Sequence, residues 1–176
     1  MNIYLIGAMG SGKSTTGRRL AAKLGWQFRD IDAMIEEKDG MPVGEIFSTR
    51  GEEYFRKREL ETVAGLAEKT DIVVSCGGGT PCFYDNMEVM KASGIVVYLK
   101  MPPEALVRRL EPARDTRPLI KGLSGGELFE KISSLLKERE VFYEKAHIVV
   151  NGLSVNLNGL VEEIRLLLNR KDRIQS

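Results

Sequence analysis

The sequence predicts an α/β fold built on a parallel β-sheet, and two observations carry that prediction. Five short strand-like runs, at residues 2–6, 27–31, 72–76, 95–99 and 148–150, alternate with longer stretches of helical spacing. The runs at 72–76 and 95–99 are nearly continuous in Val and Ile rather than alternating, as strands covered by helices on both faces are. In such sheets ligands sit at the carboxyl ends of the strands, so the residues that follow each run are the ones to inspect.

The first run ends at Gly7 and gives way to a helical pattern carrying Leu20, Ala21 and Leu24, with Gly25 placed to close it as a C-cap. After the second run, helical spacing returns at 43–47 and 52–68. The third run is followed by a helix at 86–92 and the fourth by one at 104–109. The one irregular stretch, at 111–126, holds two prolines and three glycines. A long helix from about 126 to 145, the fifth strand and a helix over 157–169 complete the alternation, and the tail at 170–176 is expected to fray. At 176 residues the chain is a single domain, residues 1–176.

Composition narrows the function classes. Lys and Arg number 26 against 25 Asp and Glu, a net charge of +1 that offers no broad basic face to a nucleic acid or an anionic membrane. No apolar run approaches the ~18 residues of a membrane helix, and the first strand is not preceded by a basic export signal, so a cytoplasmic protein is expected. Cys76 and Cys82 have no CxxC spacing and His147 is the sole histidine, which speaks for free thiols rather than a zinc site.

The strongest local signal is Gly7-Ala8-Met9-Gly10-Ser11-Gly12-Lys13-Ser14, a full match to G-x-x-x-x-G-K-[ST] set between a strand and a helix. Glycines let successive N–H groups of Gly10, Ser11 and Gly12 turn toward an anion, and the helix N-terminus adds its positive end. Lys13 is placed for the outer phosphates of ATP, the Ser14 hydroxyl for Mg²⁺, and Thr15 for a further phosphate contact. There is no D-x-x-G to sense a γ-phosphate, and Asn169-Arg170-Lys171-Asp172 has the wrong order for the guanine-reading N-K-x-D, so a GTPase is disfavoured.

On the acceptor side, Phe28, Asp30 and Asp32 share a face at period two, which sets two carboxylates beside the P-loop. One is suited to Mg²⁺ and the other to an acceptor hydroxyl; Asp30 is the metal candidate. Alternatively, Asp32 is the N-cap of a helix beginning at Ala33. The third strand runs into Gly77-Gly78-Gly79, where backbone passes close to something or simply flexes. Arg56 has helical i,i+3 spacing to Glu59, and Arg139, flanked by Glu138 and Glu140, fits a solvated helix face.

Together these residues resemble shikimate kinase. The P-loop, Phe-x-Asp-x-Asp, Phe55-Arg56 with Glu59, Gly77-Gly78-Gly79, Arg117-Pro118-Leu119 and Arg139-x-x-x-Tyr143 fall in that family's order and approximate spacing, from about residue 3 to 168. The resemblance implies a three-layer P-loop kinase of the nucleoside-monophosphate-kinase type, with a five-stranded parallel sheet, acceptor-binding helices at about 32–60 and a mobile lid at about 111–126. It implies transfer of phosphate from ATP to the 3-hydroxyl of shikimate, in aromatic amino acid biosynthesis, by a monomer. Asp32, Arg56, Gly78 and Arg139, with the flanking glycines 77 and 79, are then the shikimate-binding residues. Lys13, Asp32 and Arg117 are the catalytic ones, and Ser14 and Asp30 hold Mg²⁺. Arg109 resembles the family's adenine-stacking arginine, with Arg108 as its substitute, and Asn156 stands where the family often offers the nucleotide a basic residue. Two rivals remain at this point: a kinase of the same fold acting on another polyol acid such as gluconate, and a non-catalytic ATP-binding module.

Overall fold

In the computed structural model of the chain, residues 1–175 are described. The side chains at 113, 114, 116 and 170–175 lie outside the described residues together with Ser176, and so does the expected fraying of the tail.

Strand β1 (Asn2–Ile6) is the middle of a five-stranded sheet with β2 (Gln27–Asp30), β3 (Ile72–Ser75), β4 (Gly94–Lys100) and β5 (Ile148–Asn151). The order is β2-β3-β1-β4-β5, and every pairing is parallel. Because successive side chains point to opposite faces, Tyr4, Ile6, Val96 and Tyr98 feed one core, while Ile3, Leu5, Ile95, Val97 and Leu99 feed another. Both β1 and β4 are therefore buried on both sides, which is why they read as continuous apolar runs.

Helices cover both faces. On the first lie α2 (Ile31–Asp39), α3 (Val43–Ala67) and α4 (Asn86–Ser93); α1 (Lys13–Leu24) and α7 (Leu157–Gln175) pack on the second. Helices α5 (Pro103–Leu110) and α6 (Gly125–Tyr143) build a third cluster with Leu106, Leu110, Leu128 and Ile132. The C-cap read from sequence is in place: Gly25 has φ 72° and its N–H donates to the Ala21 carbonyl. Helix α3 is two helical pieces joined at Gly51, whose φ of 83° and ψ of 167° break the spiral where the sequence predicts a gap between 47 and 52.

Two expectations need correction at the end of β2. The strand stops at Asp30 and helix α2 begins at Ile31, so period-two alternation does not reach Asp32. Asp30, not Asp32, is the N-cap, its carboxylate accepting the N–H of Ala33 at 3.4 Å. Asp32 sits in the first helical turn, where its side chain is free to face a cavity. The stretch read as a lid contains two 3₁₀ segments, Glu111–Thr116 and Pro118–Ile120. Ile120 is fully buried in the α5–α6 cluster and tethers the segment, while Arg117 lies between the two 3₁₀ turns.

Candidate functional site

The site lies at the carboxyl ends of β1, β2 and β3 and consists of two cavities that share a wall. The first, about 520 Å³ and mostly polar, is bounded by Gly10, Gly12, Lys13, Ser14 and Thr15 of the P-loop, with Asp30, Ser75 and Arg109 around it. The second, about 400 Å³, lies between α2, α3 and the Gly77–Gly79 strap and includes Arg56, Glu59 and Arg139. Met9, Asp32, Gly77, Gly78 and Arg117 line both. A group passing from one cavity to the other must pass these five residues.

The P-loop takes its shape from left-handed backbone at Gly7 (φ 139°), Gly10 (φ 81°) and Gly12 (φ 91°), conformations that cost a side-chain-bearing residue. Lys13 folds back over the loop, its ammonium donating to the carbonyls of Gly7 at 2.9 Å and Ala8 at 2.8 Å. Burial pulls that ammonium down to about 8, against the opposing pull of the Asp32 carboxylate. Arg109 crosses the loop, donating to the Gly10 carbonyl at 3.3 Å, and stands 3.3 Å from where a Cβ on Gly12 would project. Arg109 rather than Arg108 therefore lines the polar cavity.

Two other expected nucleotide contacts fall elsewhere. The Ser11 N–H donates to the Ala8 carbonyl at 3.2 Å and its hydroxyl is buried, so Ser11 does not line the cavity. The side chain of Asn156 lies away from it as well, because its carbonyl oxygen accepts the N–H of Gly159 at 3.2 Å and caps the start of α7.

At the foot of the polar cavity the Ser14 hydroxyl donates to Asp30 Oδ2 at 2.7 Å and lies 3.1 Å from the Ser75 hydroxyl. Oxygen donors in small number, on the wall of a cavity beside the P-loop, are the chemistry Mg²⁺ accepts when it keeps water and phosphate as its remaining ligands. Asp32 lies a turn beyond. Burial raises its carboxyl to about 7, reinforced by the carboxylates of Glu59 and Asp30 and opposed by Lys13 and Arg117. Its Oδ1 is buried and accepts no hydrogen bond among the described residues, and Arg117 Nε is in the same condition. Two unsatisfied polar groups on the shared wall are costly unless something else completes them.

The second cavity is framed by charge that is itself braced. Arg56 is 4% exposed and Glu59 fully buried. Arg56 Nη1 donates to Glu59 at 2.7 Å, while Nε and Nη2 donate to Glu52 at 3.1 and 2.7 Å. The Thr80 hydroxyl donates to the other oxygen of Glu59. The guanidinium rests on the Phe83 ring at 4.2 Å, with Phe47 and Phe55 within 6 Å. The i,i+3 pair with Glu59 and a ligand-facing role are thus compatible, since the pair fixes the fork. The aromatic bed is the part that sequence reasoning missed: Phe47 and Phe83 belong to no motif, and they meet Arg56 only through folding.

The three glycines now have a physical reason. A Cβ on Gly77 would stand 2.9 Å from Asp32 Oδ1 and 2.8 Å from Glu59 Oε1. One on Gly78 would stand 3.3 Å from Arg139 Nη1, and one on Gly79 2.5 Å from Arg56 Nη1. The strap touches the three candidate acceptor residues in turn, so close approach and not flexibility explains the composition.

The sequence matches the family described as Shikimate kinase over residues 9–167. A shikimate kinase from Parabacteroides distasonis is 48% identical over 162 residues, covering 92% of this chain and 94% of that protein. The chain belongs to the shikimate kinase family. Among solved structures, shikimate kinase from Bacteroides thetaiotaomicron superposes with a TM-score of 0.86 at 39% identity, covering 96% of this chain and 98% of that one. Shikimate kinase from Acinetobacter baumannii in complex with shikimate gives 0.84 at 37% identity, covering 97% and 93%. The fold expected from the sequence, an α/β P-loop kinase with a five-stranded parallel sheet, is the shikimate kinase fold found here.

The strap yields a test of the arginine's placement. Gly79→Ala is expected to raise KM for shikimate at least tenfold with little change in KM for ATP. Arg56 cannot swing clear of the new methyl without releasing Glu52, Glu59 or the Phe83 ring. An unchanged acceptor KM in steady-state kinetics would show that Arg56 does not meet the acceptor.

Proposed function

We propose that the chain transfers the γ-phosphoryl group of ATP to the 3-hydroxyl of shikimate, giving shikimate 3-phosphate and ADP for aromatic amino acid biosynthesis. Family membership supplies the reaction class. The observation that carries the site assignment is the shared wall, where Asp32 and Arg117 border both cavities.

The polar cavity takes the triphosphate. Backbone N–H groups of Gly10 and Gly12, the N-terminus of α1, Lys13 and Thr15 meet its charge, with Arg109 at the nucleoside end. Ser14 and Asp30 hold Mg²⁺, which when bound neutralises charge on the β- and γ-phosphates. The second cavity takes shikimate, its carboxylate between Arg56 and Arg139 and its hydroxyls toward Asp32 and the Gly77–Gly79 strap. Asp32, with its carboxyl raised to about 7, is matched to accept the proton of the attacking hydroxyl near neutral pH. Arg117 places a guanidinium beside the phosphoryl group in transit, and the 111–126 segment closes over the nucleotide to exclude water. The enzyme works as a cytoplasmic monomer without nucleic-acid or membrane partners.

A coupled assay of ADP release against shikimate, gluconate and nucleoside monophosphates tests the assignment. Turnover is expected with shikimate alone. Turnover with gluconate and none with shikimate would move the enzyme to another acceptor. ATP binding without transfer to any of them would make the chain a nucleotide-binding module.

A further inference from the structure

Of the motif Arg139-x-x-x-Tyr143 only Arg139 lines the second cavity; Tyr143 is fully buried behind it. Its ring stacks against Tyr98 with centroids 5.0 Å apart. Its hydroxyl reaches across 65 positions of sequence to donate to the Gly78 carbonyl at 2.6 Å. Burial holds the phenol well above its ordinary range, so it stays a donor at every working pH.

Gly78 is the middle residue of the strap whose three members touch Asp32, Arg139 and Arg56 in turn. Arg139 lies one helical turn before Tyr143 on α6, on the same face, and its Nη1 sits against Gly78. The phenol and the guanidinium thus flank one peptide of the strap. Gly78 bears no side chain to fix its height over α6. The hydrogen bond from Tyr143 does so instead.

We propose that Tyr143 is a positioning residue for acceptor binding: its bond to the Gly78 carbonyl sets the spacing between α6, which carries Arg139, and the strap, against which Asp32 and Arg56 rest. The proposal rests on the assignment of the second cavity to shikimate. Without the phenolic hydroxyl the Gly78 carbonyl loses its partner, the strap settles at a different height, and the two arginines no longer present one carboxylate site.

Tyr143→Phe keeps the ring and its stacking while removing one oxygen. It is expected to raise KM for shikimate about tenfold, to leave KM for ATP within twofold and to hold kcat within threefold. Tyr98→Phe is the control, since the Tyr98 hydroxyl is buried without a hydrogen-bond partner among the described residues; it is expected to leave all three constants unchanged. In an Arg139→Ala background, Tyr143→Phe is expected to add less than threefold to the shikimate KM, because the two residues act on one peptide. A Tyr143→Phe enzyme with unaltered shikimate KM overturns the proposal. So does one in which both KM values rise and kcat falls together, or in which Tyr98→Phe does the same damage. The parent chain assayed alongside separates the two levels: if it fails to turn over shikimate, the cavity assignment fails and not merely the role of Tyr143.

Discussion

Asp32→Asn is expected to lower kcat by a factor on the order of 10²–10⁴, the range a positioned general base contributes, while ATP affinity stays within about threefold. Asparagine keeps the shape and removes the proton acceptor, and the bonds that Lys13 makes to Gly7 and Ala8 do not involve Asp32. The pH dependence carries the same signature. A base must be ionised to act, and the Asp32 carboxyl stands at about 7 in the folded chain. At saturating ATP, whose phosphates hold Lys13 in its charged form, kcat/KM for shikimate in the unsubstituted enzyme should therefore rise with pH up to about 7 and level off above it. The substituted enzyme should lack that limb. Stability should move the opposite way. Because the folded pKa lies above the ordinary carboxylate value of 3.8, ionising Asp32 costs folding free energy that is absent below about pH 4 and complete above about pH 7. Asp32→Asn should raise the melting midpoint at pH 8 and leave it near that of the parent chain at pH 4. A variant that keeps full activity removes Asp32 from the chemistry, and one that is destabilised at pH 8 contradicts the account of its environment.

Arg117→Ala is the second large effect, with kcat expected to fall about 10³-fold, in line with the loss of a guanidinium that stabilises charge during phosphoryl transfer. Both KM values should change far less. The expectation rests on position: Arg117 borders both cavities, and its buried Nε finds no acceptor among the described residues. Arg117→Lys should recover part of the rate, because it restores the charge without the planar fork. The structural cost of either change is small, since Ile120 anchors the segment. Loss of activity with an unchanged melting midpoint is thus the informative outcome, and a kcat within tenfold of the parent would place the transferring group elsewhere.

The parts of this site that were legible in the sequence are those whose physics is local. A P-loop depends on backbone that only glycine adopts freely, so Gly7, Gly10 and Gly12 announce it at fixed offsets. The strands of the double-sided core announce themselves through continuous Val and Ile. Asp30 and Asp32 were harder, because alternation along a strand says nothing about where the strand ends. One residue separated a correct strand end from the reading that put both carboxylates on one face, and the capping of Ala33 fell to Asp30 instead of Asp32. Asn156 was placed by analogy of position, and only the geometry of α7 reveals it as a cap. The aromatic bed beneath Arg56 and the bond from Tyr143 to Gly78 were illegible for a different reason. They join residues between 9 and 65 positions apart through contacts that follow no period.

The strand order has a consequence for how such an enzyme can change. The phosphate cradle springs from β1, which is held on both sides by β3 and β4, whereas the wall of the acceptor cavity is inserted after β2, an edge strand with one neighbour. Cavity-lining positions such as Glu36 and Gly44 can therefore be changed without touching the neighbours β3 and β4 of the central strand, whereas Ile31, Ile35, Ile46 and Phe55 share a core with its Tyr4 and Ile6. New acceptor specificities are best sought at the cavity-lining positions among residues 32–60, with the buried core positions and the central strand left unaltered.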